Sequence, residues 1–137
     1  MAKDKFHTAV RRALEKENWQ ITHDPFPFDY GGVNFQIDLG AEQLLGAERS
    51  GEKIAVEIKS FLNPSAITDF YQALGQFLSY RLALAHFDPQ RMLYLAVPDD
   101  TYRTFFQLPF TQGAVQAYQL QIIVYNPEQE RIEEWNP

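Results

Sequence analysis

The chain has no cysteine. Disulfides and thiolate metal sites are therefore excluded, and nothing points to an oxidising compartment. It also lacks any apolar run near the roughly 18 residues of a membrane span. Its first residues, MAKDKFHTAVRRALEKENW, are charged and amphipathic, without the apolar core of a secretory signal. No repeat, linker or low-complexity segment is found. These absences lead us to expect a soluble cytoplasmic protein of one domain, residues 1–137, long enough to bury a core.

Positive charge is also scarce. Twelve Lys and Arg face 18 Asp and Glu, for a net charge of −6. That balance argues against avid, general binding to nucleic acid, which depends on cations that neutralise phosphates. The charge is uneven, however. Lys3, Lys5, Arg11, Arg12 and Lys16 crowd the start, and Glu128, Glu130, Glu133 and Glu134 crowd the end. Acids that hold a divalent cation also lower the formal charge until the cation binds. A nucleic-acid role is weakened, not removed.

What the chain has in plenty is aromatic residues, eleven Phe and seven Tyr. Hydrophobic periodicity organises them. Phe6, Val10, Ala13 and Leu14 recur at helical spacing over 4–17, and Asn18 suits a left-handed stop. Residues 19–23 alternate as a strand. DPFPFDYGG reads as a loop, with two prolines and a Gly-Gly pair. Residues 33–39, VNFQIDL, alternate again and end on Asp38 and Leu39. The stretch GAEQLLGAERSGEK reads as a strand continuation with a turn at Ser50-Gly51. A strand follows over 53–60, then a break and a helix over 67–87. RMLYLAV, 91–97, is apolar on both faces, as a central strand covered by helices should be. Short helices over 99–107 and 112–119 and strands over 120–125 and 131–135 complete the order α-β-β-β-α-β-α-α-β-β. The expected fold is α/β (α+β), with a mixed central sheet flanked by helices.

Chemistry concentrates in KIAVEIKS. Glu57 and Lys59 are two apart, so on a strand they share a face while Ile58 points to the other. Two readings stand: a solvent-facing ion pair, or part of a site. Asp38 closes an earlier strand on its polar face. If the strands are neighbours, Asp38, Glu57 and Lys59 gather at one place. Two carboxylates suit Mg²⁺ or Mn²⁺, with the Ile58 backbone carbonyl as a further oxygen. Lys59 suits a role on the attacking water or on phosphate charge. The 67–87 helix carries Gln72, Gln76 and Tyr80 on one line. Its Gly75, costly in a helix by roughly 1 kcal/mol, suggests a close helix–sheet approach.

These residues carry a resemblance. Asp38 followed by Glu57-Ile58-Lys59 resembles the PD-(D/E)xK pattern of the restriction-endonuclease-like nucleases, and Gln76 with Tyr80 resembles the Q-x-x-x-Y motif found in several of its branches. The order α-β-β-β-α-β matches the core of that fold. The chain as a whole resembles the XisH family, through KDKFHTAVRRAL, ITHDPF, QIDLGAEQLL, KIAVEIKSF and ALGQFLSYR. The resemblance implies a restriction-endonuclease-like domain and a role in programmed DNA rearrangement, the excision of the fdxN element in cyanobacteria. It further implies an XisI-like companion protein and a site-specific recombinase as partners. Departures are visible. Ile37, not Pro, precedes Asp38. Many nucleases of this superfamily carry a Glu on the first helix, and His7 stands at about that place, with Glu17 and Glu42 as other candidates to complete a metal site.

The leading expectation is a Mg²⁺-dependent DNA endonuclease with Asp38, Glu57, Lys59, Gln76 and Tyr80 as its site, and with Lys5, Arg11, Arg12 and Arg81 touching the DNA backbone. The alternative is a non-catalytic adaptor that keeps the fold. A third possibility is a nuclease restrained by its partner. Tyr102, Phe105, Phe106, Phe110 and Tyr118 leave room for a homodimer through the C-terminal half.

Overall fold

The structure, a computed structural model, describes residues 2–43 and 51–136. Helix α1, Ala2–Lys16, turns Ala9, Val10, Ala13 and Leu14 fully inward, and the chain leaves it through Asn18 at a left-handed φ of 70°. Five strands follow: β1, Trp19–His23; β2, Phe26–Tyr30; β3, Val33–Ile37; β4, Leu39–Gln43; and β5, Glu52–Ile58. Helix α2, Ala66–Phe87, starts on Ser65, whose hydroxyl accepts from the Thr68 amide. Then come β6, Arg91–Pro98, the short helix α3, Asp99–Arg103, and a 3-10 turn, Phe105–Gln107. Helix α4, Pro109–Ala117, with β7, Ile122–Asn126, and β8, Arg131–Asn136, completes the described chain.

Six strands form one mixed sheet in the order β1-β4-β5-β6-β7-β8. The β5–β6 and β6–β7 pairs are parallel; the others are antiparallel. The period of two along β5 divides the core. Ile54 and Val56 pack with α1, together with Leu39, Ala41, Ala96 and Ile123. Ala55, between them, packs with Phe70, Ala73 and Phe77 of α2, together with Leu93, Leu95 and Val97. The sheet is thus buried on both faces, which is why RMLYLAV is apolar throughout. The result is a mixed α/β fold of helix, sheet and helix layers. Among the described residues no helix is long and apolar enough to cross a membrane.

Two expectations are corrected. DPFPFDYGG is not a plain loop: Phe26–Tyr30 pairs with Val33–Ile37 as a separate hairpin. Its prolines do not prevent this, because the hairpin stands outside the main sheet and Pro27 lies on an exposed position. Gly31 and Gly32 have φ of +60° and +84°, the backbone of a two-residue type I′ turn. The stretch after Asp38 is a strand in its own right, β4, so five strands precede α2, where the sequence suggests three. Ser50 of the expected turn lies outside the described residues.

Gly75 is a second kind of correction. It is exposed on α2, and a Cβ built there meets nothing within 4 Å. It serves no close helix–sheet approach. Gly75→Ala is therefore expected to stabilise the protein by about 0.5–1 kcal/mol, through helix propensity and a restricted unfolded chain. Urea denaturation checks it; a loss of stability would show that the glycine has a packing role.

Candidate active site

The β4–β5 register brings the two acids together. Leu39 pairs with Val56, so the next position outward sets Asp38 beside Glu57. Asp38 occupies the bend between β3 and β4, and its Oδ2 accepts from the Ile58 backbone N–H at 2.7 Å. This bond fixes the carboxylate against the end of β5. The chain stays tied to the sheet one residue past β5: the Lys59 amide donates to the Ala96 carbonyl of β6 at 3.1 Å.

Glu57 and Lys59 follow Ala55 onto the α2 face, and Ile58 packs on the α1 face. A solvent-facing ion pair is ruled out by burial. Glu57 is 7% exposed, and its Oε1 is buried without a hydrogen-bond partner. Lys59 instead donates to Gln72 Oε1 at 2.7 Å. Gln72, set by helical spacing on one line with Gln76 and Tyr80 but not expected among the site residues, thus belongs to the site.

Burial raises the Glu57 carboxyl to about 8, and the neighbouring Asp38 charge and hydrogen bond act in the same direction. Tyr80 is likewise raised, to about 12, by burial and then by the charges of Glu57 and Asp38. Its hydroxyl therefore stays protonated at neutral pH beside both acids. The Tyr80 ring is held edge-on to Phe35 of the hairpin, at 6.1 Å between centroids.

A cavity of about 200 Å³ opens here, lined by Phe6, His7, Asp38, Glu57, Ile58, Lys59, Ser60, Gln72 and Gln76. Asp38, Glu57, Lys59 and Gln76 thus converge as the spacing suggests, and Tyr80 stands behind them. The donor set suits a hard divalent cation: two carboxylates, one of them with an orphaned buried oxygen. Among the described residues no three His, Asp or Glu side chains are placed to hold one metal ion. His7 shares the cavity, but its Nε2 lies 2.8 Å from Asp24 Oδ1. Glu17 accepts from the Trp135 indole at 2.9 Å, and Glu42 lies 3.7 Å from Arg91. Neither lines the cavity.

The cations expected to touch DNA are tied within the chain. Lys5 pairs with Glu128, Arg11 with Asp24 at 2.5 Å, and Arg12 with Glu130 at 3.1 Å. Arg81 donates to the Gln119 carbonyl at 3.0 Å and lies over the Phe77 ring. Of the C-terminal aromatics, Phe106 is fully buried, Tyr102 and Phe105 pack against the core, and Phe110 and Tyr118 are exposed. His86 stacks on Tyr30, and the His23 ring lies tilted against Phe26, so each packs on an aromatic neighbour.

The raised Glu57 carboxyl has a consequence for stability. Between its ordinary value of 4.5 and the folded value of about 8, the folded state binds a proton that the unfolded state has lost. Stability of the metal-free protein should therefore fall as pH rises through that window. Denaturant midpoints measured from pH 5 to pH 8 check this. Wild type should decline, and Glu57→Gln, which cannot ionise there, should give a flatter profile.

The XisH family model, described as "XisH protein", matches residues 1–133. The crystal structure of an XisH family protein from Nostoc punctiforme PCC 73102 is 50% identical to this chain, with a TM-score of 0.90 over 98% of this chain and 100% of that one. That of an fdxN element excision controlling factor protein from Anabaena variabilis is also 50% identical, with a TM-score of 0.89 over 98% and 99% of the two chains. No curated protein matches.

Proposed function

The chain belongs to the XisH family, and from that premise we propose that it serves DNA element excision as a divalent-cation-dependent phosphodiesterase of restriction-endonuclease-like design. The description of the Anabaena relative as an fdxN element excision controlling factor supports the excision role. One observation carries the chemical part: the buried, unpartnered Glu57 Oε1 beside a second carboxylate, in a cavity that also presents Lys59. A buried acid oxygen without a partner is costly, and a cation that displaces the Glu57 proton would meet it.

Asp38 and Glu57 would hold Mg²⁺ or Mn²⁺, which when bound neutralises phosphate charge and makes water a better nucleophile. The chain's own residues supply the rest. The Ile58 amide holds Asp38 in place before any ligand arrives. Gln72 holds the Lys59 ammonium at the cavity, where it would face the attacking oxygen or the phosphate. Gln76 offers an amide to the same space, and Tyr80 adds a protonated hydroxyl close to both acids. DNA is the substrate on this reading, with an XisI-like protein and a recombinase as companions.

The second reading, a non-catalytic adaptor for those companions, is favoured by the paired state of Lys5, Arg11 and Arg12, which leaves them fewer free charges for DNA. One experiment separates the two. Purified protein is incubated with supercoiled and linear DNA in Mg²⁺ or Mn²⁺, beside Glu57→Ala. Nicking that needs the metal and is lost in the variant supports the phosphodiesterase. Cleavage that survives the substitution contradicts it. No cleavage, with partner binding retained, supports the adaptor.

A further inference from the structure

A second hollow lies on the α1 face of the sheet, at the end of β5 away from Glu57. It measures about 260 Å³ and is lined by Glu17, Trp19, Glu52, Tyr94 and Trp135. The chain order explains its place. Helix α1 stops at Lys16, and Glu17 is the next residue. Trp19 opens β1, Tyr94 lies in β6 and Trp135 in β8, and all three belong to the α1-face core. Glu52 stands two positions before Ile54, so period two turns it to the same face. From Glu52 to Glu57 the strand runs roughly 17 Å at its usual rise, and Glu57 faces α2.

Packing alone explains aromatic rings on a sheet face that a short helix leaves bare. Two observations go past packing. The first is the set of the rings. Tyr94 stands at 86° to Trp135, with 5.2 Å between centroids. Rings at right angles bound a corner with their faces, and the face is the negative side of an aromatic ring. Trp19 adds a third ring, 5.8 Å from Trp135. The Trp135 indole is fixed in place, because its Nε1–H donates to Glu17 Oε1 at 2.9 Å. The second observation is the charge. The Glu52 carboxylate is exposed and makes no hydrogen bond or ion pair among the described residues. Its charge reaches Tyr94, whose hydroxyl is raised by burial and then by Glu52. Among the described residues no Lys or Arg lines the hollow. Ring faces and a carboxylate around one space repel anions and attract a weakly hydrated cation. A hard metal ion wants several oxygens and is poorly served by three rings. An organic cation is well served, with its carbon surface on the rings and its charge toward Glu52.

We propose that the hollow between Trp19, Tyr94 and Trp135 binds an organic cation, an alkylated ammonium or a guanidinium group, with Glu52 as its counter-charge. The group comes from a free amine or from a basic side chain of a partner protein, and the chemistry of recognition is the same. The site shares no residue with the Asp38 and Glu57 cavity. It stands whether or not the chain cleaves DNA.

The chain has two tryptophans and both line the hollow, so indole fluorescence reports on this place. The protein is titrated at constant ionic strength with choline and with N-acetylarginine amide. Each is run beside its uncharged isostere, 3,3-dimethylbutan-1-ol for the first and N-acetylcitrulline amide for the second. At least one cation should change the fluorescence saturably at millimolar concentration. Its isostere should bind about tenfold more weakly, the size of a partly desolvated cation–π contact. Glu52→Gln, at an exposed position, should keep the fold and weaken cation binding about threefold. Tyr94→Leu should weaken it about fivefold, and Tyr94→Phe should restore it, while both tryptophans remain as reporters. Tighter binding of choline supports the site and names a free amine as the source; tighter binding of the arginine amide supports it and names a partner's side chain. No saturable response to either cation overturns the proposal. So does an isostere that binds as tightly as its cation, or wild-type affinity in both Glu52→Gln and Tyr94→Leu.

Discussion

Lys59→Met is expected to slow metal-dependent DNA cleavage by about 10²–10⁴-fold, with little change in the denaturation midpoint. The two outcomes belong together. Lys59 lies past the end of β5, and its ammonium is held by Gln72 at the edge of the cavity. Methionine keeps the length of the stem and removes the charge. On the phosphodiesterase reading, what is lost is the group that would meet the attacking oxygen or the phosphate, not packing. Single-turnover rates with excess protein measure the effect without interference from product release. Lys59→Arg sharpens the assignment. Arginine keeps the charge but does not give up its proton. Substantial recovery of rate by Arg assigns Lys59 to electrostatic stabilisation; a rate as low as that of Met assigns it to proton transfer.

Phe70→Ala is expected to cost about 3–5 kcal/mol of folding free energy, a large share of the roughly 5–15 kcal/mol typical of a domain. Phe70 is fully buried and joins α2 to the C-terminal aromatics. Its ring lies 5.6 Å from Phe105 and 5.7 Å from Phe106, centroid to centroid, with Phe110 at 6.4 Å. Truncation opens a void that three rings and a strand cannot close together. Phe110→Ala is the control. Its ring is 57% exposed, so its loss should cost well under half as much. Urea denaturation of both variants, with the slope compared to wild type, decides. A loss of under about 1.5 kcal/mol for Phe70→Ala would show that the aromatic cluster repacks.

The site was more legible in the sequence than the strands around it. Period two placed Glu57 and Lys59 on one face, and an alternating strand placed Asp38 at its end; the β4–β5 register then juxtaposed the acids. Period 3.6 set Gln72 and Gln76 on one line, and both line the cavity. What the sequence could not give was the neighbour across the sheet, since pairing is a long-range choice. That is why Glu57 could be read as a surface ion pair, although it is buried. The hairpin is not legible in the sequence because its prolines and glycines are loop signals, and only pairing with Val33–Ile37 makes Phe26–Tyr30 a strand. Gly75 misled for the opposite reason: a helix glycine often marks close packing, and here the position is open. The basic residues of α1 were recognised as a patch, but their partners Asp24, Glu128 and Glu130 lie 13 to 123 positions away and could not be assigned from spacing.

On the proposed function, Asp38 and Glu57 form one divalent-cation site. Calorimetric titration of the protein with Mn²⁺ or Mg²⁺ at pH 7, in two buffers of different ionisation enthalpy, tests it most directly. The Glu57 carboxyl is raised to about 8 in the metal-free protein, so binding must expel its proton. Expected are one saturable site in wild type, a heat that changes with the buffer by about one proton per ion, and loss of both in Glu57→Gln and Asp38→Asn. Saturable binding that survives Glu57→Gln, or no binding by wild type at millimolar metal, would contradict it.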